Sequence, residues 1–126
     1  MKADLVLQWL QEEGYKHQVD EDGDVPFRYE GKAMYFFPDE DESFFRLAIP
    51  NVYECESEED HVRILEVCNS LNKDYKVLKV FLVNQKLWFA IEMFIDNTPN
   101  LNDFFDRCCH ILASGYDDGR KMIMGE

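Results

Sequence analysis

Three groups of residues in this chain are of types that can do chemistry. Cys108-Cys109-His110 sets two thiols beside an imidazole, the makings of a nucleophile or a metal ligand. On a helix, neighbouring side chains point about 100 degrees apart, so the trio cannot converge on one ion. The C-x-x-C spacing of zinc sites is absent. Cys108 continues an apolar stripe and is expected to be buried, whereas Cys109 and His110 lie off that stripe and are expected at the surface. A nucleophile at Cys109 would need one of His17, His61 and His110 brought beside it by folding. The second group is Asp20-Glu21-Asp22-Gly23-Asp24, which offers the carboxylates of Asp20, Asp22 and Asp24 at alternate positions, the ligand type calcium prefers. An EF-hand needs glycine at its sixth position and glutamate at its twelfth. Here glycine comes fourth and Gly31 stands twelfth, so the stretch reads as a hairpin turn with a solvated acidic tip. The third, Asp39-Glu40-Asp41-Glu42, is a run of acids on a loop without a preorganised geometry. The chain has no phosphate-binding G-x-x-x-x-G-K-[ST], no G-x-G-x-x-G and no G-x-S-x-G. It therefore predicts no catalytic residue, no metal centre and no cofactor. The alternative is a small enzyme or divalent-cation binder using the acidic turn or a surface cysteine.

The elements around these groups are organised on the stretch Tyr75 to Ile95, which reads as two strands reversing at Asn84-Gln85. That turn sets Val83 opposite Lys86, Leu82 opposite Leu87, Val80 opposite Phe89 and Leu78 opposite Ile91. Side chains alternate across a strand, so one face carries Leu78, Val80, Leu82, Leu87, Phe89 and Ile91 and must be covered. The other face carries Val77, Phe81, Trp88 and Phe94, with Lys79 and Glu92 as a pair of opposite charge. Aromatic faces of this kind are seldom left wholly in water, which makes Val77, Phe81, Trp88 and Phe94 the candidate surface for a second copy or a partner chain unless a helix covers them.

In chain order, residues 3 to 13 form a helix with Val6, Leu7 and Leu10 inward, Leu5 and Trp9 widening the stripe, and Gly14 as its stop. Three strands follow, Tyr15 to Val19, Val25 to Tyr29 and Ala33 to Phe37, with reversals at Gly23 and Gly31; Pro26 suits an edge position. Phe44 to Ile49 is a further strand. Ser57 caps a helix whose first turn is acidic and whose buried side is Val62, Ile64, Leu65, Cys68 and Leu71. The hairpin comes next, then a last helix starting near Pro99 that either ends at Gly115 or runs on towards Met124. The order α-βββ(β)-α-ββ-α implies an α+β fold, an antiparallel sheet of about five or six strands with three helices, in a single domain spanning 1-126.

At a formal net charge of −13 the chain repels phosphate backbones and anionic lipid surfaces, so the expectation is no nucleic acid and no membrane partner; attraction to a basic protein segment is the minority reading. No apolar run reaches the ~20 residues that span a bilayer, and the first residues do not read as a signal peptide. With four cysteines and no secretory signal, reduced thiols in the cytoplasm are expected.

The block Leu10 to Phe37, with Gly14-Tyr15, Asp20-Glu21-Asp22-Gly23-Asp24-Val25, Phe27, Glu30-Gly31 and Tyr35, resembles the opening of the YbjN family. Pro50-Asn51, the helix from Ser57 and the hairpin with its closing helix extend the resemblance over nearly the whole chain. These are turn and core residues and carry a fold, not an active site. The resemblance implies a fold like that of the type III secretion chaperones, small acidic proteins that dimerise and hold a partner chain in extended form, and a link to regulation of sensory transduction. It implies a cytoplasmic, non-enzymatic module, a homodimer with a possible protein or peptide partner.

Overall fold

The computed structural model describes residues 2–126. Its elements are α1 (Lys2–Glu12), β1 (Val25–Tyr29), β2 (Lys32–Phe36), β3 (Phe44–Ile49), α2 (Glu58–Asp74), β4 (Leu78–Val83), β5 (Lys86–Phe94), a 3-10 turn at Leu101–Asp103, and α3 (Phe105–Ile123). The strands form one antiparallel sheet in the order β1-β2-β3-β5-β4, an α+β architecture. Leu78, Val80, Leu87, Phe89 and Ile91 are all buried, together with Val25, Phe27, Met34, Phe36, Phe45 and Leu47 from the other strands. Helices α2 and α3 pack on that one face of the sheet, and α1 packs against the 3-10 turn, with Val6, Trp9 and Leu10 in the same core.

The hairpin register is the one its turn dictates: Val83 pairs Lys86, Leu82 pairs Leu87, Val80 pairs Phe89 and Leu78 pairs Ile91. Asn84 and Gln85 both take positive φ, 50° and 70°, as a two-residue turn of this twist requires. Such a turn also decides which backbone groups face outward. Val83 and Lys86 exchange the closing hydrogen bonds, so Val80 turns its N–H and C=O away from β5. Asn72 of α2 meets both: Nδ2 donates to the Val80 carbonyl at 3.0 Å and Oδ1 accepts from the Val80 N–H at 2.8 Å. This edge of the sheet is thereby closed to further pairing.

Five expectations are corrected. Tyr15 to Val19 is not a strand, so the sheet has five. The residues run past β1 and meet its start only at Asp20, whose N–H donates to the Asp24 carbonyl (2.9 Å). Proline contributes: of the two β1 residues whose backbone faces outward, Pro26 and Arg28, Pro26 has no N–H, which leaves only Arg28 with a full pair to offer. Tyr75 to Val77 does not belong to the hairpin either; Tyr75 caps α2 and Val77 takes φ 72°, which breaks the alternation before β4 begins. Val62 and Leu65 are exposed. The buried stripe of α2 is Ile64, Val67, Cys68 and Leu71, and Val62 stands about 200 degrees round the helix from Ile64. The last helix starts at Phe105 rather than near Pro99, after a turn capped by Asn100, and continues through Gly115. Leu5, expected to widen the stripe of α1, is exposed.

Ser57 caps α2 by accepting from the Asp60 N–H, and the Asp60 carboxylate then ties the helix down. It accepts from Tyr53 Oη (2.6 Å), from the Glu56 N–H (2.9 Å) and from Arg63 (2.8 Å), whose Nη1 also donates to the Ile123 carbonyl at the end of α3 (2.9 Å). Hydrogen bonds from Tyr53, then from the Glu56 backbone and Arg63, hold the Asp60 carboxyl down at about 2. A folded value below the ordinary 3.8 means the link is at full strength above the ordinary carboxylate range and is lost as pH falls towards about 2. A carboxyl-carbon NMR titration is expected to place the Asp60 midpoint near 2; a midpoint at 3.8 would show the link absent in solution.

Candidate functional site

The sheet face opposite the helices is where the aromatic residues gather. In register across it, Tyr35 of β2 lies beside Ala48 of β3, Ala48 beside Ala90 of β5, and Ala90 beside Lys79 of β4. Both alanines are completely buried although no helix covers this face, because rings from neighbouring rows fold over them. Tyr35 stacks on Phe37 (centroids 5.6 Å, planes 8° apart), Phe37 on Trp88 (5.8 Å), and Trp88 meets Phe81 (6.1 Å). The result is a row of four half-buried rings crossing the sheet from β2 to β4. Trp88 is fixed in it by its indole N–H, which donates to Asn51 Oδ1 at 3.2 Å.

Beside the row sits a charged trio. Glu92 lies between Lys79, which donates to Oε1 at 2.9 Å, and Arg46, whose Nε is 2.7 Å from Oε2. The Arg46 contact is charge against charge; its N–H does not align on the oxygen as a hydrogen bond. Burial pulls the Glu92 carboxyl upward, but the two cations outweigh it and hold it below the usual glutamate value. The cations in turn lie against rings, Lys79 5.0 Å from the Phe81 centroid and Arg46 6.0 Å from that of Phe44. This surface can bind, through flat apolar rings and an ion-paired centre that keeps one net positive charge, but it presents no acid, base or nucleophile poised for a reaction.

Of the four residues expected on this face, Phe81 and Trp88 are directly paired. Phe94 stands apart at the far end of β5 against Phe44, 78% exposed, and Val77 falls outside the strand, 50% exposed. Tyr35 and Phe37 were not anticipated as partners of Trp88. Their alternation in the second strand of the first hairpin was visible, but only the long-range pairing of β3 with β5 brings them to it.

Of the other candidates, the thiols and imidazole do not assemble, whereas the acids of the first turn come close together. Cys109 is fully buried, not at the surface, because it lies one turn after Phe105 on a side of α3 that faces Tyr15 and, in β1, Tyr29. Burial pushes its thiol far up, and Cys108 and Cys68 to about 11. His110 is exposed on another side of the helix. Carboxylate oxygens of Asp20, Asp22 and Asp24 do lie within 4.8 Å of one another. Asp20 Oδ1, however, accepts from the N–H groups of Asp22 (3.0 Å) and Asp24 (2.9 Å), so it closes the turn. Burial, then the charges of Asp20 and Asp22, raise the Asp24 carboxyl.

Comparison with known proteins adds the following. The family model TY-Chap1, described as "T3SS (YopN, CesT) and YbjN peptide-binding chaperone 1", matches residues 2–120. Among solved structures, the fold is similar to the crystal structure of an uncharacterized protein from Methanothermobacter thermautotrophicus. The TM-score is 0.66 at 15% sequence identity, over 99% of this chain and 98% of that one, which speaks for the fold alone. No curated protein matches.

Proposed function

Because this chain belongs to the TY-Chap1 family of peptide-binding chaperones, we propose that it is a non-catalytic binding module whose helix-free sheet face receives an extended segment of a partner polypeptide. The observation that carries this is the row Tyr35, Phe37, Trp88 and Phe81, rings set one against the next across the sheet and each partly open to solvent. Stiff aromatic side chains that are already ordered lose little freedom on binding and make good anchors. Phe94 and Val77, both exposed at the open end of the hairpin away from its turn, add apolar surface at that end. In the Arg46–Glu92–Lys79 trio both cations contact the one carboxylate, so each ion has a partner of opposite sign and the group keeps one net positive charge.

Self-association through this face is the second reading, and Phe94 at 78% exposure favours it. A formal charge of −13 on each copy works against it. The four cysteines are free, and three of them buried, which suits a reducing compartment such as the cytoplasm. Among the described residues no helix is long and apolar enough to cross a membrane.

The test is co-purification from the native host with the wild-type chain and with Trp88→Glu, each checked for folding by circular dichroism and for mass by light scattering. A partner polypeptide held by the wild type is expected to bind Trp88→Glu on the order of thirtyfold more weakly, the loss of one ~2 kcal/mol anchor. Full retention by a folded Trp88→Glu chain would remove the face from the binding surface. A wild-type dimer that Trp88→Glu converts to monomer would assign the face to a second copy.

A further inference from the structure

We propose that a cationic groove along the free edge of β1 binds an extended polypeptide segment carrying acidic side chains. The groove has a volume of about 940 Å³, within the range of binding clefts. One wall is the end of α1 and the segment Gly14 to Gln18; the other is Pro26, Phe27 and Arg28 of β1 with Ala33 of β2. Its charged residues are Lys16 and Arg28, with His17 between the glutamines of the first wall, and no acid lines it. In a chain with 26 acidic against 13 basic residues the lining itself is basic, while the acids Asp106, Glu13 and Glu30 stand outside it, near enough to add to burial in raising the Tyr15 hydroxyl. Among the described residues neither Lys16 nor Arg28 has an ion-pair partner. One Arg28 nitrogen donates to the Gly31 carbonyl (2.8 Å), which steadies the guanidinium and leaves its other N–H groups for a ligand.

The backbone supplies the second half of the argument. The β1–β2 turn is built like that of the other hairpin, two residues at positive φ (Glu30 49°, Gly31 80°), with Tyr29 opposite Lys32. By the same alternation that turns Val80 outward from β4, Arg28 and Pro26 turn outward from β1. At β4 the outward pair is taken by Asn72. At β1 the equivalent N–H and C=O of Arg28 have no such partner among the described residues, and they lie at the groove. An extended chain could take that pair of bonds and, with an acidic side chain, reach Lys16 and the Arg28 guanidinium. A small anion would satisfy the cations but not the edge. Nucleic acid would meet the field of the whole chain along its length, whereas a short segment in the groove is screened from distant acids over about 8 Å at physiological salt.

This inference does not depend on the aromatic face being a binding surface, and the test keeps them apart. The probe is a capped synthetic peptide alternating valine and glutamate, titrated by calorimetry and amide NMR into the full chain; its counterpart carries lysine for glutamate. Saturable binding of the glutamate peptide is expected, weakening with salt and shifting the Arg28 amide. The double variant Lys16→Glu/Arg28→Glu is expected to bind at least about tenfold more weakly and Lys16→Gln/Arg28→Gln to fall between, while Trp88→Glu leaves this binding unchanged. Both replaced positions are exposed, and circular dichroism checks that the variants fold. No saturable binding to the wild type, equal binding of the lysine peptide, undiminished binding by the folded charge-reversed chain, or full displacement by inorganic phosphate would each overturn the proposal.

Discussion

Phe105→Ala is expected to cost about 3–5 kcal/mol of folding stability, the usual range for deleting a fully buried ring. Phe105 opens α3, has no exposed surface, and touches three other elements through their own aromatics. Its ring centroid lies 4.4 Å from Trp9 of α1, 5.9 Å from Phe27 of β1 and 5.8 Å from Phe45 of β3. Trp9 itself is held from outside, its indole N–H donating to Asn102 Oδ1 at 3.0 Å, so the surrounding groups cannot simply collapse into the space. With domain stabilities of about 5–15 kcal/mol, a loss of this size removes a large share of the total. Urea unfolding should show it as a lower midpoint at an unchanged slope. The neighbouring Phe104→Ala supplies the contrast, since that ring is half-buried and among the described residues its ring contact is with Phe45. An equal loss from both substitutions would mean that Phe105 is not the joint between α1 and the sheet.

What could be read from the chain beforehand, and what could not, divides along contact range. The second hairpin was legible to the residue because a two-residue turn sets the register and the alternation on each side agrees with it. Ser57 and the acids after it announced α2 for the same local reason. The misreadings came from what lies alongside. Tyr15 to Val19 has the alternation of a strand, but pairing is decided by the neighbour, and Pro26 cannot donate to it. Cys109 looks peripheral on a helix with one buried stripe; α3 is packed by the sheet, by α2 and by Tyr15 after α1, so its buried arc is wider. Val62 and Leu65 err the other way, since α2 lies at the end of the sheet and buries only a narrow strip. The candidate surface shows the same division. Phe81 and Trp88 share a hairpin and were paired from sequence, whereas Tyr35 and Phe37 reach Trp88 only because β3 lies between β2 and β5.

Gly119→Ala carries the second large effect, and Gly115→Ala tests its cause. The helix runs straight through both glycines, and both are buried against the sheet. A methyl group built on Gly119 would lie 2.5 Å from Phe89 Cζ, 2.9 Å from Cε2 and 3.2 Å from Leu71 Cδ1. Phe89 is a fully buried ring that cannot swing aside, so α3 itself must move off the sheet. Alanine gains about 1 kcal/mol over glycine by helix propensity. Overpacking a tight core costs about 1–3 kcal/mol, and at a contact this short the upper part of that range applies, leaving a net loss of about 1–2 kcal/mol. At Gly115 the new methyl would meet Leu78 Cδ2, also at 2.5 Å, but this is the free end of a leucine at the start of β4, and another rotamer can clear it. Gly115→Ala is therefore expected to change stability by less than about 1 kcal/mol in either direction. Urea midpoints of the two variants should separate clearly, with Gly119→Ala the lower. Placing Phe89→Leu in the Gly119→Ala background should cost less than Phe89→Leu alone, because the smaller side chain relieves the clash. Equal midpoints for the two alanine variants, or strictly additive effects of Gly119→Ala and Phe89→Leu, would show that α3 does not rest on Phe89 through this glycine.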